Sequence, residues 1–110
     1  MDGFRVDPAS HVPPSVQIVE AILDALARGR FEAGDRLPSV RALAVDVLVN
    51  PNTVSKAYAE LERLAVVAGR NGSGVFVTDG GPERAGELRH AATLAEFAAG
   101  ARRALRAGHP

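Results

Sequence analysis

The stretch Asn52-Thr53-Val54-Ser55-Lys56 gathers three small hydrogen-bonding side chains and one cation within a few residues. If a helix opens here, Asn52, Thr53, Ser55 and Lys56 project from its first turns. In a helix lying in a DNA major groove, those turns reach the base edges. Asn can pair bidentately with adenine, and Ser and Thr hydroxyls can meet many edges. The orphan N–H groups of a first helical turn can also meet a phosphate. Arg41, earlier in the chain, suits a phosphate or the O6/N7 edge of guanine. Arg70, beside the tip Asn71-Gly72-Ser73-Gly74, is placed to lie along a neighbouring backbone or minor groove. Each residue also has a plainer reading. Arg41 could pair with Asp46, and Asn52, Thr53, Lys56 and Arg70 could simply be solvated.

Other chemistry is poorly served. The chain has no Cys, which removes disulfides, thiolate ligands and cysteine nucleophiles. His11, His90 and His109 share no ligand spacing with each other or with carboxylates. Asp35 and Asp46 show no paired-carboxylate logic, and no Ser has a His partner in context. Gly72-Ser73-Gly74 is too short for a phosphate-binding fingerprint. The expectation is a protein that is not an enzyme and takes no cofactor or metal.

With 110 residues, 46% hydrophobic and 24% charged, the chain fits one small domain plus an appended helical element. The 13 basic and 13 acidic residues cancel, so whole-chain charge gives no reason to expect nucleic acid. Local placement leans the other way. Residues 36–75 hold five basic against three acidic side chains, and residues 1–35 hold three against six. The longest apolar run is far short of the roughly 20 residues that span a bilayer. With no signal-peptide pattern, the expected compartment is the cytoplasm, without a membrane partner.

The elements that must position these residues can be read in order. Residues 1–13 are irregular. A helix over residues 15–28 carries Val16, Val19, Ile22, Leu23 and Leu26 at 3–4 spacing, with Gln17, Glu20 and Asp24 on other faces. Residues 31–38 form a breaker segment in which Gly34-Asp35 and Leu37-Pro38 read as structural turns. A short helix starting near Ser39 turns Val40, Leu43, Ala44 and Val47 inward. Asn50 is an N-cap, Pro51 suits the first helical position, and Val49 can staple onto Val54. The helix they start runs to about Leu64, burying Val54, Ala57, Tyr58, Leu61 and Leu64, with Arg63 facing water. Residues 66–68 and 75–77 read as strands of a hairpin turning through Asn71-Gly72. Residues 83–107 are helical by propensity, with Gly86 and Gly100 weakening them. The fold class is therefore mainly α with a small β-hairpin (α+β). The order is that of a winged helix-turn-helix followed by a C-terminal helix or helix pair.

The wording supports that order. Gly34-Asp35-Arg36-Leu37-Pro38-Ser39-Val40-Arg41-Ala42-Leu43-Ala44, then Val49-Asn50-Pro51-Asn52-Thr53-Val54 and Ala57-Tyr58-Ala59-Glu60-Leu61-Glu62, closely resembles the GntR family of bacterial transcriptional regulators. Gly72-Ser73-Gly74-Val75-Phe76-Val77 resembles that family's wing. The Val-Asn-Pro-Asn-Thr-Val wording and the short chain point to its YtrA-like subfamily. The resemblance covers residues 13–77. It implies DNA-contact roles for Arg41, Asn52, Thr53 and Lys56, with Gly72 in the wing. Ser55, Arg70 and Ser73 join them from the reading of residues above. Ser15 stands where the family carries Tyr, and Leu64-Ala65 where it carries a charged residue and Gly.

Two domains are expected: residues 1–79 binding DNA and residues 80–110 forming a dimerisation tail. Ala91, Leu94, Ala98, Ala101 and Leu105 follow a helix-seam spacing, with Phe97 on the adjacent face. The alternative is a tail folded back on its own domain. The family resemblance implies dimers, hence a sequence-specific regulator. It would be a repressor holding a palindromic double-stranded DNA operator as a homodimer. Any small-molecule effector must then bind at the dimer interface or between tail and head. The competing reading is a winged-helix protein–protein interaction module without DNA binding.

Overall fold

The computed structural model describes residues 4–91. α1 (Pro14–Ala27) starts with proline at its first position and buries Ile18, Val19, Ile22, Leu23, Ala25 and Leu26. Val16, expected inside, is 41% exposed and borders an open cleft against the third helix. Ile18 takes the fully buried place instead. Gln17 does lie off the core, but it is not idle. Its amide accepts from the Asp7 N–H at 2.9 Å and donates to the Asp7 and Val12 carbonyls at 3.0 and 2.9 Å. These bonds clip the irregular leading segment to α1, and Phe4 and Val6 of that segment pack against the core.

α2 (Val40–Val47) is capped by Ser39, whose Oγ accepts from the Ala42 N–H at 3.1 Å. It buries Leu43, Ala44 and Val47 and ends at Leu48, whose φ of 60° is left-handed. α3 (Pro51–Arg63) follows at once. Asn50 Oδ1 accepts from the Asn52 N–H at 2.8 Å, and Pro51 sets the first-turn φ. Val54, Ala57, Tyr58 and Leu61 face inward, as the 3–4 spacing requires. Just past the α3 C-cap Leu64, Ala65 takes φ 64°. For a residue with a Cβ that conformation costs about 1–2 kcal/mol, which explains why glycine suits this position better.

The strands are displaced from their expected bounds. β1 (Val67–Arg70) and β2 (Gly74–Val77) pair antiparallel, Val67 opposite Val77 and Arg70 opposite Gly74. The loop is therefore only Asn71-Gly72-Ser73, closed by the Ser73 N–H donating to the Arg70 carbonyl at 3.0 Å. The segment before α2 is more than a breaker. Gly34 and Leu37 donate to the Val77 and Val75 carbonyls at 2.9 and 2.8 Å, and Val77 donates to the Asp35 carbonyl at 2.8 Å. Arg36 sits opposite Phe76 in an antiparallel bridge. Residues 34–37 thus form a third edge on the hairpin and fix it to the start of α2. Three residues of alternation were too few to read as a strand.

The core runs through every element: Ile18, Ile22 and Leu26 from α1, Leu43 and Val47 from α2, Val54 and Leu61 from α3, and Val66, Val67 and Val77 from the hairpin. A last helix, α4, occupies residues 81–91 to the end of the described region, starting two residues earlier than expected and unbroken at Gly86. Its Ala85 is fully buried and Leu88 packs on the same core. The approach is close at Gly81, where an added Cβ would lie 2.5 Å from the Val66 carbonyl oxygen. Thr78 fixes the geometry by donating its hydroxyl to the Ala65 carbonyl at 2.9 Å.

Gly81→Ala is therefore expected to destabilise the fold by about 1–3 kcal/mol, the usual cost of forcing atoms into a filled site. Gly86 has open space around its Cα. Gly86→Ala should stabilise by about 0.5–1 kcal/mol through helix propensity. Urea denaturation of both variants checks the contrast in sign.

Candidate nucleic-acid interface

α3 is held by two local devices at its start, the Asn50 cap and Pro51, and by one tertiary contact, the Tyr58 hydroxyl. That hydroxyl donates to the Pro38 carbonyl at 2.7 Å. The Tyr58 ring is buried, and its hydroxyl bonds protein rather than pointing outward for a phosphate. Burial pushes the phenol well above its ordinary titration range. Because Pro38 precedes the α2 cap Ser39, this single bond ties α3 to the start of α2. Both helix starts are positioned by buried or capped residues, not by those expected to touch a ligand.

On that scaffold Asn52, Ser55 and Lys56 are exposed along α3, and Thr53 is half-buried. Arg41 is exposed on α2 and forms no ion pair with Asp46 or any other acid among the described residues. Lys56 likewise has no carboxylate partner among the described residues. Its neighbour Glu60 is engaged elsewhere. Arg63 donates from Nε at 2.9 Å and from a second nitrogen to the Glu60 carboxylate. That hydrogen-bonded pairing holds Glu60 below the usual carboxylate range and raises Arg63. Arg63 is exposed, as expected, and also pairs with Glu60, the acid four residues on from Lys56. Lys56, Ala57 and Glu60 also border a cleft of about 300 Å³, walled on the α1 side by Ser15, Val16 and Val19.

At the hairpin tip Gly72 takes φ 71°, a left-handed conformation that suits glycine, and Ser73 is exposed beside it. The Arg70 guanidinium stacks over the Phe76 ring, 4.6 Å from its centroid. A ring face attracts a cation and limits its wandering without neutralising it. Two neighbouring residues, Arg36 and Phe76, are not among the expected site residues. Phe76 lies under Arg70 across the hairpin, and Arg36 pairs with Phe76 because residues 34–37 join the sheet, a pairing that no local pattern announces.

Of the seam residues, Ala91 is exposed on α4, while Leu94, Phe97, Ala98, Ala101 and Leu105 lie outside the described residues. Among the described residues no cluster of three His, Cys, Asp or Glu is placed to hold a metal ion. No helix among them is long and apolar enough to cross a membrane.

The geometry has parallels in known proteins. Residues 14–77 match the sequence model for bacterial regulatory proteins of the gntR family. The chain is 41% identical over 76 residues to the HTH-type transcriptional repressor YtrA of Bacillus subtilis, taking in 69% of this chain. It spans 58% of that repressor's length. A GntR family transcriptional regulator from Listeria monocytogenes superposes with a TM-score of 0.78 at 32% identity, covering 93% of this chain and 87% of that one. YtrA from Sulfolobus acidocaldarius, a GntR-family transcription factor, gives 0.64 at 34% identity, over 67% and 78% of the two chains.

Proposed function

This chain belongs to the GntR family of bacterial regulatory proteins, and from that premise we propose that it is a sequence-specific DNA-binding transcriptional regulator, a repressor that occupies a palindromic operator. The observation that carries this reading is the set of polar side chains and Lys56 on the first turns of α3, none of them paired among the described residues. They stand on a helix whose start is fixed by Asn50, Pro51 and Tyr58. In this role Asn52, Thr53, Ser55 and Lys56 read base edges. Arg41, Arg70 and the backbone at Gly72 and Ser73 hold the flanking phosphates.

Residues 1–79 would form the DNA-binding unit and residues 80–110 the dimerisation tail, with α4 leading out of the core through Ala85 and Leu88. A two-fold homodimer through Ala91, Leu94, Phe97, Ala98, Ala101 and Leu105 would set two recognition helices on successive major-groove faces. A small-molecule effector would act at that interface or between tail and head. The cytoplasm is the compartment in which such a regulator meets its operator.

A second reading, a winged-helix module that docks a protein, draws on the zero net charge and on Val45 and Leu48, which are 76% and 81% exposed. Fluorescence anisotropy separates the two, using DNA from upstream of the protein's own gene, a scrambled duplex and a salt series. The expected result is tight binding to the upstream DNA that weakens with salt, at a slope of roughly 0.9 per phosphate contacted. Equal, weak binding to both duplexes would argue against an operator at that locus. Absence of binding even at low salt would favour the protein-docking module.

A further inference from the structure

Strand geometry places more cations on the wing than the hairpin alone supplies. Residues paired across a sheet share a face, and positions two apart on a strand share it again. Val67 and Val77 are paired and buried, so their face is the inner one. Phe76, paired with Ala68 and bridged to Arg36, therefore points to the outer face. Gly74 and Arg70, two pairs further along, point the same way. Arg36 and Arg70 thus occupy the two flanks of one exposed face, with the Phe76 ring between them.

Side-chain packing agrees with the register. The Arg36 side chain fills the space a Cβ on Gly74 would take, such a Cβ lying 2.7 Å from its Nε. Arg70 lies on Phe76. Neither guanidinium has a carboxylate partner among the described residues. The one acid in the three segments, Asp35, lies on the opposite face, its carboxylate accepting from the Glu32 N–H at 2.8 Å. Two cations on the flanks of one face, with no carboxylate partner among the described residues, suit a doubly charged or repeating anion. The tip Gly72-Ser73 continues directly from this face.

We infer that Arg36 and Arg70 form a two-arginine clamp on the DNA sugar-phosphate backbone, with Arg36 supplied by the strand before the helix-turn-helix. This rests on the DNA-binding reading and adds to it a contact outside the helix-turn-helix and the wing tip. Arg36 reads no base, so it contributes equally on any sequence. Phe76 acts as a positioning residue, its ring holding Arg70 on the outer face.

The test compares the full chain with Arg36→Gln and Arg36→Lys, by anisotropy on the upstream DNA and on a scrambled duplex across a salt series. Arg36→Gln should weaken binding by the same factor, roughly tenfold, on both duplexes and make the salt slope shallower by about 0.9. Arg36→Lys should keep the wild-type slope, because the charge stays while the planar fork is lost. Thermal melts of both variants should match the wild type. An Arg36→Gln slope equal to wild type, with DNA binding intact, would overturn the clamp and leave the proposed function standing. So would Arg36→Lys behaving like Arg36→Gln, which would mark a packing role over Gly74. A wild type that ignores DNA altogether would remove both.

Discussion

Replacing Arg41 and Lys56 together with alanine should lower affinity for the upstream DNA about a hundredfold or more while leaving the fold intact. Both side chains are exposed and unpaired among the described residues, so no hydrogen bond or ion pair there is lost with them. The α2 and α3 starts are capped by Ser39 and Asn50, which the substitutions leave alone. Alanine is also the better helix former at an exposed interior site. Each charged contact to DNA is worth about 1.5–3 kcal/mol, and each 1.4 kcal/mol is tenfold in affinity. The two residues lie on different helices and share no partner, so their losses should roughly add. The salt slope should fall by between one and two contacts' worth. Circular dichroism melts alongside the anisotropy series separate a lost contact from a lost fold. Affinity within threefold of wild type would mean that this surface does not read DNA, and Val45 and Leu48 would become the surface to probe for a protein partner.

How far the sequence alone foretold this arrangement depends on how local each signal is. Asn50-Pro51 marks a helix start within four residues, and the structure has the predicted cap, the predicted first-turn proline and the predicted buried Val54. Periods of 3–4 likewise recover Leu43, Ala44 and Val47 in α2. The failures are non-local. Val16 fits the α1 period but borders an open cleft, which only the packing of α1 against α3 decides. Residues 34–37 gain their strand character from β2, forty residues later in the chain. No window around Arg36 contains that information. The candidate site is therefore legible where its residues share one helix, at Asn52 to Lys56, whose helix start and exposure follow from local signals. It is illegible where it is assembled across the sheet, at Arg36 and Phe76.

Tyr58 offers the severest test of how the interface is positioned, because one side chain carries both packing and a tertiary hydrogen bond. Tyr58→Ala removes a buried ring and should cost about 3–5 kcal/mol, much of a small domain's stability. Tyr58→Phe keeps the ring and removes only the bond to the Pro38 carbonyl. It should cost about 1–2 kcal/mol, since that carbonyl loses its partner in a half-buried place. The pH dependence has a definite sign. Burial raises the phenol above its ordinary value of 10.0, so the folded state holds the proton that the unfolded chain releases. Stability from this group is thus fully present below about pH 10 and is lost as pH climbs above it toward the raised folded value. In Tyr58→Phe that alkaline loss should vanish. The chain has one tyrosine, so ultraviolet absorbance follows this phenol alone while urea denaturation at neutral and alkaline pH follows the fold. The Phe variant should also bind DNA more weakly at neutral pH, because Arg41 lies three residues beyond the carbonyl that Tyr58 holds. A Phe variant as stable and as tight-binding as wild type would mean that packing alone, without the hydroxyl, sets the two helices in register.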